Sequence, residues 1–404
     1  MKSKLFEYQS PDIGLDRSKQ IKELDTILLP GVKDEDWKYT RVSKLGGITL
    51  KNNHPAIEIK DDVVFPESET HLKFVNGKLV DGKTTTFVKT WKECSAADKK
   101  EILEVEHART DVFTQLNDAW FNEAVFIHVP AGKQIEKPVI LSFVTAGTEN
   151  TTQARIVIVA DAASKCSIIL RFTSAKAENA FCNVSLFSFL HEKSEVEIVK
   201  VQEENDAMWH ISNETAVQDA NSKFGIHTLS LNGGLIRNNL NITLKGRHTH
   251  TMLSGAVHGT GNMHVDNHSL VDHKEPDCVS DELYKYILDG KSVGVFNGKV
   301  FVRQDAQKTL AYQSNANLLL SEDASINTKP ELEIYADDVK CSHGTTTGYM
   351  DDNALFYLRA RGIGEETASR LLIHAFTSEV TDRIENEWLK AFAVERLNAY
   401  LKLE

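Results

Sequence analysis

From about Val125 to Val339 the chain carries a long series of short β-type runs: VFIHVPAG, PVILSFVT, ARIVIVAD, CSIILRF, EVEIVKV, FGIHTLSL and LNITL, then YKYIL, VGVFNGKVFV, NLLLS and ELEIYADDV. Many alternate apolar with polar residues, and Gly, Asn, Asp or Lys separates them. No convincing helical period interrupts them for roughly two hundred residues. A block of closely spaced strands this long restricts the fold to a sandwich, a barrel or a solenoid. No strict repeat unit is visible, so a solenoid would be an irregular one.

Helical signals flank the block. DRSKQIKELDTILLPG sets Ile21, Leu24, Ile27 and Leu28 on one face, and Pro30-Gly31 marks its end. FVNGKLV predicts a hairpin turning on Asn76-Gly77. Ser95 with Asp98 opens a second helical stretch, and DVFTQLNDAWF continues with Val112, Leu116, Ala119 and Trp120 at helical spacing. After Gly348 the period is helical again. Gly362 and Gly364 break LFYLRARGIGEETASRLLIHAF, and Glu365-Glu366 stand where a helix start prefers negative charge. The last stretch aligns Ile384, Trp388, Phe392, Leu397 and Leu401 in one stripe, a pattern that is as a rule an internal packing face. The order is helical or mixed over 1–122, β over 123–346 and helical over 347–404.

At 404 residues the chain is longer than a single core sustains, so two or three units are expected. Its 41% hydrophobic and 26% charged residues describe a soluble globular protein. A net charge of −12 disfavours nucleic acid and anionic membranes as partners. MKSKLFEYQS lacks the apolar run of a secretory signal, and no apolar stretch is long enough to cross a bilayer. The five cysteines, Cys94, Cys166, Cys182, Cys278 and Cys341, show no paired spacing, which points to free thiols in a reducing cytoplasm.

Two stretches carry chemistry. In KCSHGTTTG, Cys341 and His343 are two residues apart just after a strand-like run, so an extended chain would present both on one face. The pair could offer sulfur and nitrogen to a soft or borderline metal, the imidazole could activate the thiol, or a structural Cys could sit beside a hydrogen-bonded His. Two donors do not complete a tetrahedral site, so further ligands must come from elsewhere, another subunit included. The second stretch, RHTHTMLSGAVHGTGNMHVDNHSLVDHKEPDC, holds His248, His250, His258, His264, His268, His273 and Cys278. It is rich in metal-ligand types but has no glutamate at ligand spacing, and polar surface ladders of stacked strands account for it better than local metal binding does.

Several enzyme signatures are absent. DGKS at Asp289–Ser292 lacks the upstream glycine of a phosphate loop, and there is no G-x-S-x-G elbow or dinucleotide fingerprint. Asp337-Asp338 are neighbours and so face opposite sides of a strand. By motif, a binding or scaffold protein fits better than a self-contained enzyme.

KPELEIYADDVKCSHG at Lys329–Gly344, FYL at Phe356–Leu358, RGI at Arg361–Ile363 and DEDWKYTRVSKL at Asp34–Leu45 closely resemble the SufB/SufD family of iron–sulfur cluster assembly scaffolds, the SufD branch in particular. The resemblance implies a right-handed parallel β-helix core between N- and C-terminal helical regions. It implies a non-catalytic scaffold subunit working with a SufB-like subunit and a SufC-type ABC ATPase, with a homodimer as a possible state of the isolated chain. It implies that His343, with Cys341 beside it, contributes to an iron or nascent Fe–S cluster shared with the partner, none being held stably by the lone chain. It places ATPase docking on the C-terminal helices, at Phe376, Ile384, Trp388 and Phe392. The competing readings are a β-solenoid carbohydrate-active enzyme and a His-rich metal-binding β protein.

Overall fold

A computed structural model describes residues 13–24, 27–52, 59 and 63–402. The β block is a parallel β-solenoid of about eight turns, with helices at both ends of the chain. Strands of mostly ten residues alternate between two sheets, of ten and nine strands, and from Glu123 onward each strand pairs in parallel with the next but one in sequence. Stacking therefore joins residues about one turn apart in the chain. Thr152, Cys182, His210 and Ile236, for example, form one column of register partners.

The repeat that holds the turns in step is conformational. After each of seven strands of the nine-stranded sheet one residue adopts a left-handed backbone: Gly132, Ala163, Lys193, Asn221, His248, Asp277 and Lys308, spaced 27 to 31 residues apart. The N–H groups of six of them, all but His248, reach across to the next corner, as in Ala163 to the Glu192 carbonyl (2.9 Å) and Lys193 to the Ala220 carbonyl (3.0 Å). Only Gly, Asn and Asp adopt this conformation readily. Lys193 is exposed there, so Lys193→Gly should relieve strain and raise stability by a few tenths to about 1 kcal/mol, net of glycine's extra unfolded-chain entropy. The shift in urea midpoint measures it, and an unchanged or lower midpoint would count against the strain.

Each strand sends one side inward and the other outward. The inner column is apolar over the early turns, from Leu72 and Phe74 through Phe143, Phe172 and Ile198. It then turns polar. Lys200 and Glu214 pair inside the solenoid, Lys200 also donates to Asn238 (2.9 Å), and Asn238 donates to Asn267 (2.8 Å), which donates to the Tyr286 hydroxyl (2.7 Å). Such groups are tolerated in the interior because these satisfy one another.

Outer faces are covered by the helices. On the nine-stranded sheet lie α1 (Ser18–Leu24), α2 (Ala96–Glu104) and α3 (Val112–Trp120). The expected capping at Ser95 is a full capping box, and Asp111 makes a second one for α3. The predicted first helix is shorter than its pattern: α1 is described over Ser18–Leu24, residues 27–30 are not helical, and Leu28 is exposed. Leu24 is buried in the α3 cluster, and Ile27 and Leu29, beyond the helix, pack against it partly buried. Asn76 and Gly77 form the expected hairpin turn, both with positive φ, but its first strand, Thr70–Val75, already pairs with Val139–Thr148. The sheets thus begin well before residue 123 and run on to Tyr349. The first ten residues, MKSKLFEYQS, lie outside the described residues.

After the last strand come α4 (Asp352–Arg359), α5 (Glu365–Asp382) and α6 (Glu387–Leu401), with the break at Gly362, whose φ is +85°. The predicted stripe is a packing face. Ile373, Val380, Ile384, Leu389, Phe392, Leu397 and Leu401 bury themselves against Ile140, Val199, Leu229 and Ile287 on the ten-stranded sheet. Arg396 on α6 reaches Glu203 on the solenoid (2.6 Å), and Arg171 takes the same carboxylate's other oxygen (2.7 Å).

Candidate functional site

The two sheets end in strands Ser325–Ile334 and Lys340–Tyr349, each paired along one edge only. A parallel ladder interrupted this way leaves a row of backbone donors and acceptors without a further strand. Both strands are exposed or half-buried along their length, in contrast to the earlier turns. Tyr335, Tyr349, Phe356 and Tyr357 are exposed close by in sequence. The solenoid is open at this end.

KCSHGTTTG is the strand Lys340–Tyr349 itself. Cys341, His343, Thr345 and Thr347 share one face, as the spacing required, and their register partners are Ala311, Gln313, Asn315 and Asn317. All four partners are buried, so this face continues the interior column to the open end. Directly below His343, Gln313 donates to Glu282 (2.7 Å), and Glu282 also accepts from the Ser269 hydroxyl. Burial raises the Glu282 carboxyl above its ordinary range. His343 is exposed and has no hydrogen-bond or ion-pair partner among the described residues. Cys341 is half-buried, and burial raises its thiol, with the Ala311 N–H offsetting part of that. No charged neighbour lowers it, so it is a neutral thiol near pH 7 rather than an imidazole-activated nucleophile. The end therefore presents one free imidazole and one thiol, a borderline donor set short of a complete sphere.

The second histidine stretch does not form a site. His248 is a left-handed corner residue, and His250 is exposed at a strand start. His250 and His258 belong to the ten-stranded sheet, His264, His268 and His273 to the nine-stranded one. Even on that one strand they divide. His264 contacts Thr40 (2.9 Å) and His268 pairs with Asp266 (2.9 Å) on the outer face, whereas His273 points inward to Ser280 (2.9 Å) and burial depresses it to about 4. Cys278 is buried, its thiol donating to the Gly246 carbonyl.

Of the residues expected to dock a partner, Ile384 and Phe392 are each 3% exposed in the chain's own packing, and Phe65 stacks on Phe392 at 5.4 Å. They are corrected to core residues. A one-sided apolar stripe seeks the nearest apolar surface, and the solenoid face supplies it. Phe376 is partly buried beneath the Lys285 ammonium (4.7 Å). Trp388, at 41% exposure, remains accessible. Missed by sequence reasoning was a buried group of Cys182, Glu204 and His210, whose ligand atoms all lie within 4.8 Å of one another. Only the turn-to-turn register joins residues that far apart in the chain.

Residues 143–376, most of the solenoid and the start of the C-terminal helices, match the family model described as "SUF system FeS cluster assembly, SufBD core domain". The chain belongs to the SufBD family. A SufBD family iron–sulfur cluster assembly protein of Synechocystis is 30% identical over 385 residues, covering 89% of this chain and 85% of that protein. The SufD iron–sulfur cluster assembly protein of Escherichia coli is 29% identical across 98% of this chain and 95% of its own length. The chloroplastic protein ABCI7 of Arabidopsis thaliana is 31% identical over 69% of this chain and 61% of its own. The likeness to SufD covers nearly the whole of both chains, so this SufBD chain is most like SufD and serves iron–sulfur cluster assembly.

Proposed function

We propose that this chain is a non-catalytic scaffold subunit that builds Fe–S clusters together with a SufB-like subunit and a SufC-type ABC ATPase. The observation that carries the reading is His343. It is an exposed imidazole without a partner, on the last strand of an open-ended solenoid, with a single thiol, Cys341, on the same face. A second solenoid placed against this end supplies the missing donors, and the cargo iron or cluster is held between the two subunits. Neutral imidazole is the main donor from this side. Cys341 serves as co-ligand or transient sulfur acceptor once a metal displaces its proton.

ATP hydrolysis belongs to the partner, in keeping with the absent phosphate loop. The ATPase contacts the exposed side of the C-terminal helices, where Trp388 and Leu371 are accessible, while Ile384 and Phe392 hold those helices to the solenoid. Approach of two ATPase copies then moves the paired solenoids as rigid bodies, opening and closing the shared site. A polysaccharide-acting enzyme is less well supported, because the buried carboxylates among the described residues are internally paired or hydrogen-bonded. Affinity purification of the tagged chain from its native cells should bring down a SufB-like protein and an ATPase in stoichiometric amounts. A chain recovered alone under gentle conditions would remove the proposal.

A further inference from the structure

Inside the solenoid, several turns away from His343, Cys182 and His210 are register partners on the neighbouring strands Ala180–Leu190 and Met208–Gln218. Glu204 joins them from the corner just after Glu195–Glu203. All three side chains are at most 1% exposed, and their donor atoms lie within 4.8 Å of one another. Both Glu204 carboxylate oxygens lie within hydrogen-bond distance of His210 Nδ1 (2.9 and 3.0 Å). His210 Nε2 is buried without any hydrogen-bond partner. From this geometry we infer that Cys182, Glu204 and His210 form a binding site for one borderline divalent cation of the Zn2+ class, built into the solenoid core and separate from the interface donors.

The donor chemistry suits such an ion. One thiolate, one carboxylate and one neutral imidazole are a ligand set that zinc accepts. Two anionic donors balance the charge of a dication, which makes the loaded site neutral overall in a place where uncompensated charge is expensive. Binding releases the thiol proton, and any second proton on the imidazole, to solvent, so affinity falls as pH falls. Without the ion, Glu204 takes hydrogen bonds from His210 and from the Cys182 thiol, which burial and the carboxylate hold well above its usual range, and His210 Nε2 stays unpartnered. The Thr145 hydroxyl, bonded to Thr152 (2.8 Å) and to the thiol, stands beside the cluster as a further oxygen.

The test uses the full chain, stripped with chelator and then given Zn2+ alone or Co2+ alone. The folded wild type should take up about one equivalent of Zn2+ by elemental analysis, and Co2+ should give a thiolate charge-transfer band. Cys182→Ser should abolish that band. Glu204→Gln, which keeps the shape and a partner for His210 but removes the charge, should weaken Zn2+ binding about tenfold or more. His343→Ala should leave uptake unchanged, which separates this site from the interface donors whatever the fate of the cluster proposal. Circular dichroism identifies any variant that fails to fold, in which case the remaining variant decides. Uptake below about a tenth of an equivalent by folded wild type, or a Co2+ band and affinity that survive both substitutions, would overturn the inference.

Discussion

In the proposed three-subunit complex, once purified, His343→Ala should cut reconstituted iron and the visible cluster absorbance on the order of tenfold or more, well beyond the effect of losing a secondary contact. The imidazole is exposed and bonded to nothing within the chain among the described residues. Its removal should therefore change folding stability by less than about 0.5 kcal/mol, and a loss of cluster could not be blamed on misfolding. Cys341→Ser is the informative companion. That thiol is half-buried and protonated, so its loss should lower iron content less than the histidine's does. Unchanged iron and absorbance in the His343→Ala complex would refute the ligand assignment. Equal loss from both variants would make the thiol a full ligand.

Glu203→Ala should be the most destabilising single change at the junction of the C-terminal helices with the solenoid. Its side chain is 2% exposed and accepts from Arg171 Nε (2.7 Å) and Arg396 Nε (2.6 Å). Truncation leaves two guanidinium groups in a nearly dry place without their shared anion, and breaking a buried pair from one side costs about 3–5 kcal/mol. Because Arg396 lies on α6, the helix should loosen from the ten-stranded sheet along with its neighbours Phe392 and Leu397. Arg396→Met, by contrast, keeps the Arg171–Glu203 pair and should cost distinctly less. Chemical denaturation of the two variants gives the comparison, and equal losses would contradict the shared-anion account. A truncation after Phe376 removes α6 altogether and uncovers the sheet, so it tests folding before it tests ATPase docking.

The helix–β–helix order was readable because period-2 alternation and capping residues such as Ser95 and Asp98 act locally. The choice among sandwich, barrel and solenoid was not, since all three show the same alternation along a strand. What distinguishes this fold is the left-handed corner at every turn. It is filled by Gly, Ala, Lys, Asn, His, Asp and Lys in succession, so the repeat exists in backbone angle and not in residue type. The family resemblance supplied what periodicity could not. Cys341 and His343 were legible as a pair because two-residue spacing fixes a common face in any strand. Cys182, Glu204 and His210 come together only through the stacking of turns, which no local window contains. Ile384 and Phe392 were correctly placed on one stripe, but a stripe does not say what covers it, and here it is the chain's own sheet.

The bare ladder at Lys340–Tyr349 also bears on protein handling. Any chain that reaches this edge in extended form can extend the sheet without new backbone geometry, another molecule of the same protein included. Preparations made without the proposed counterpart subunit should therefore change apparent mass with dilution, and co-expression with it in matched amounts should keep the protein monodisperse.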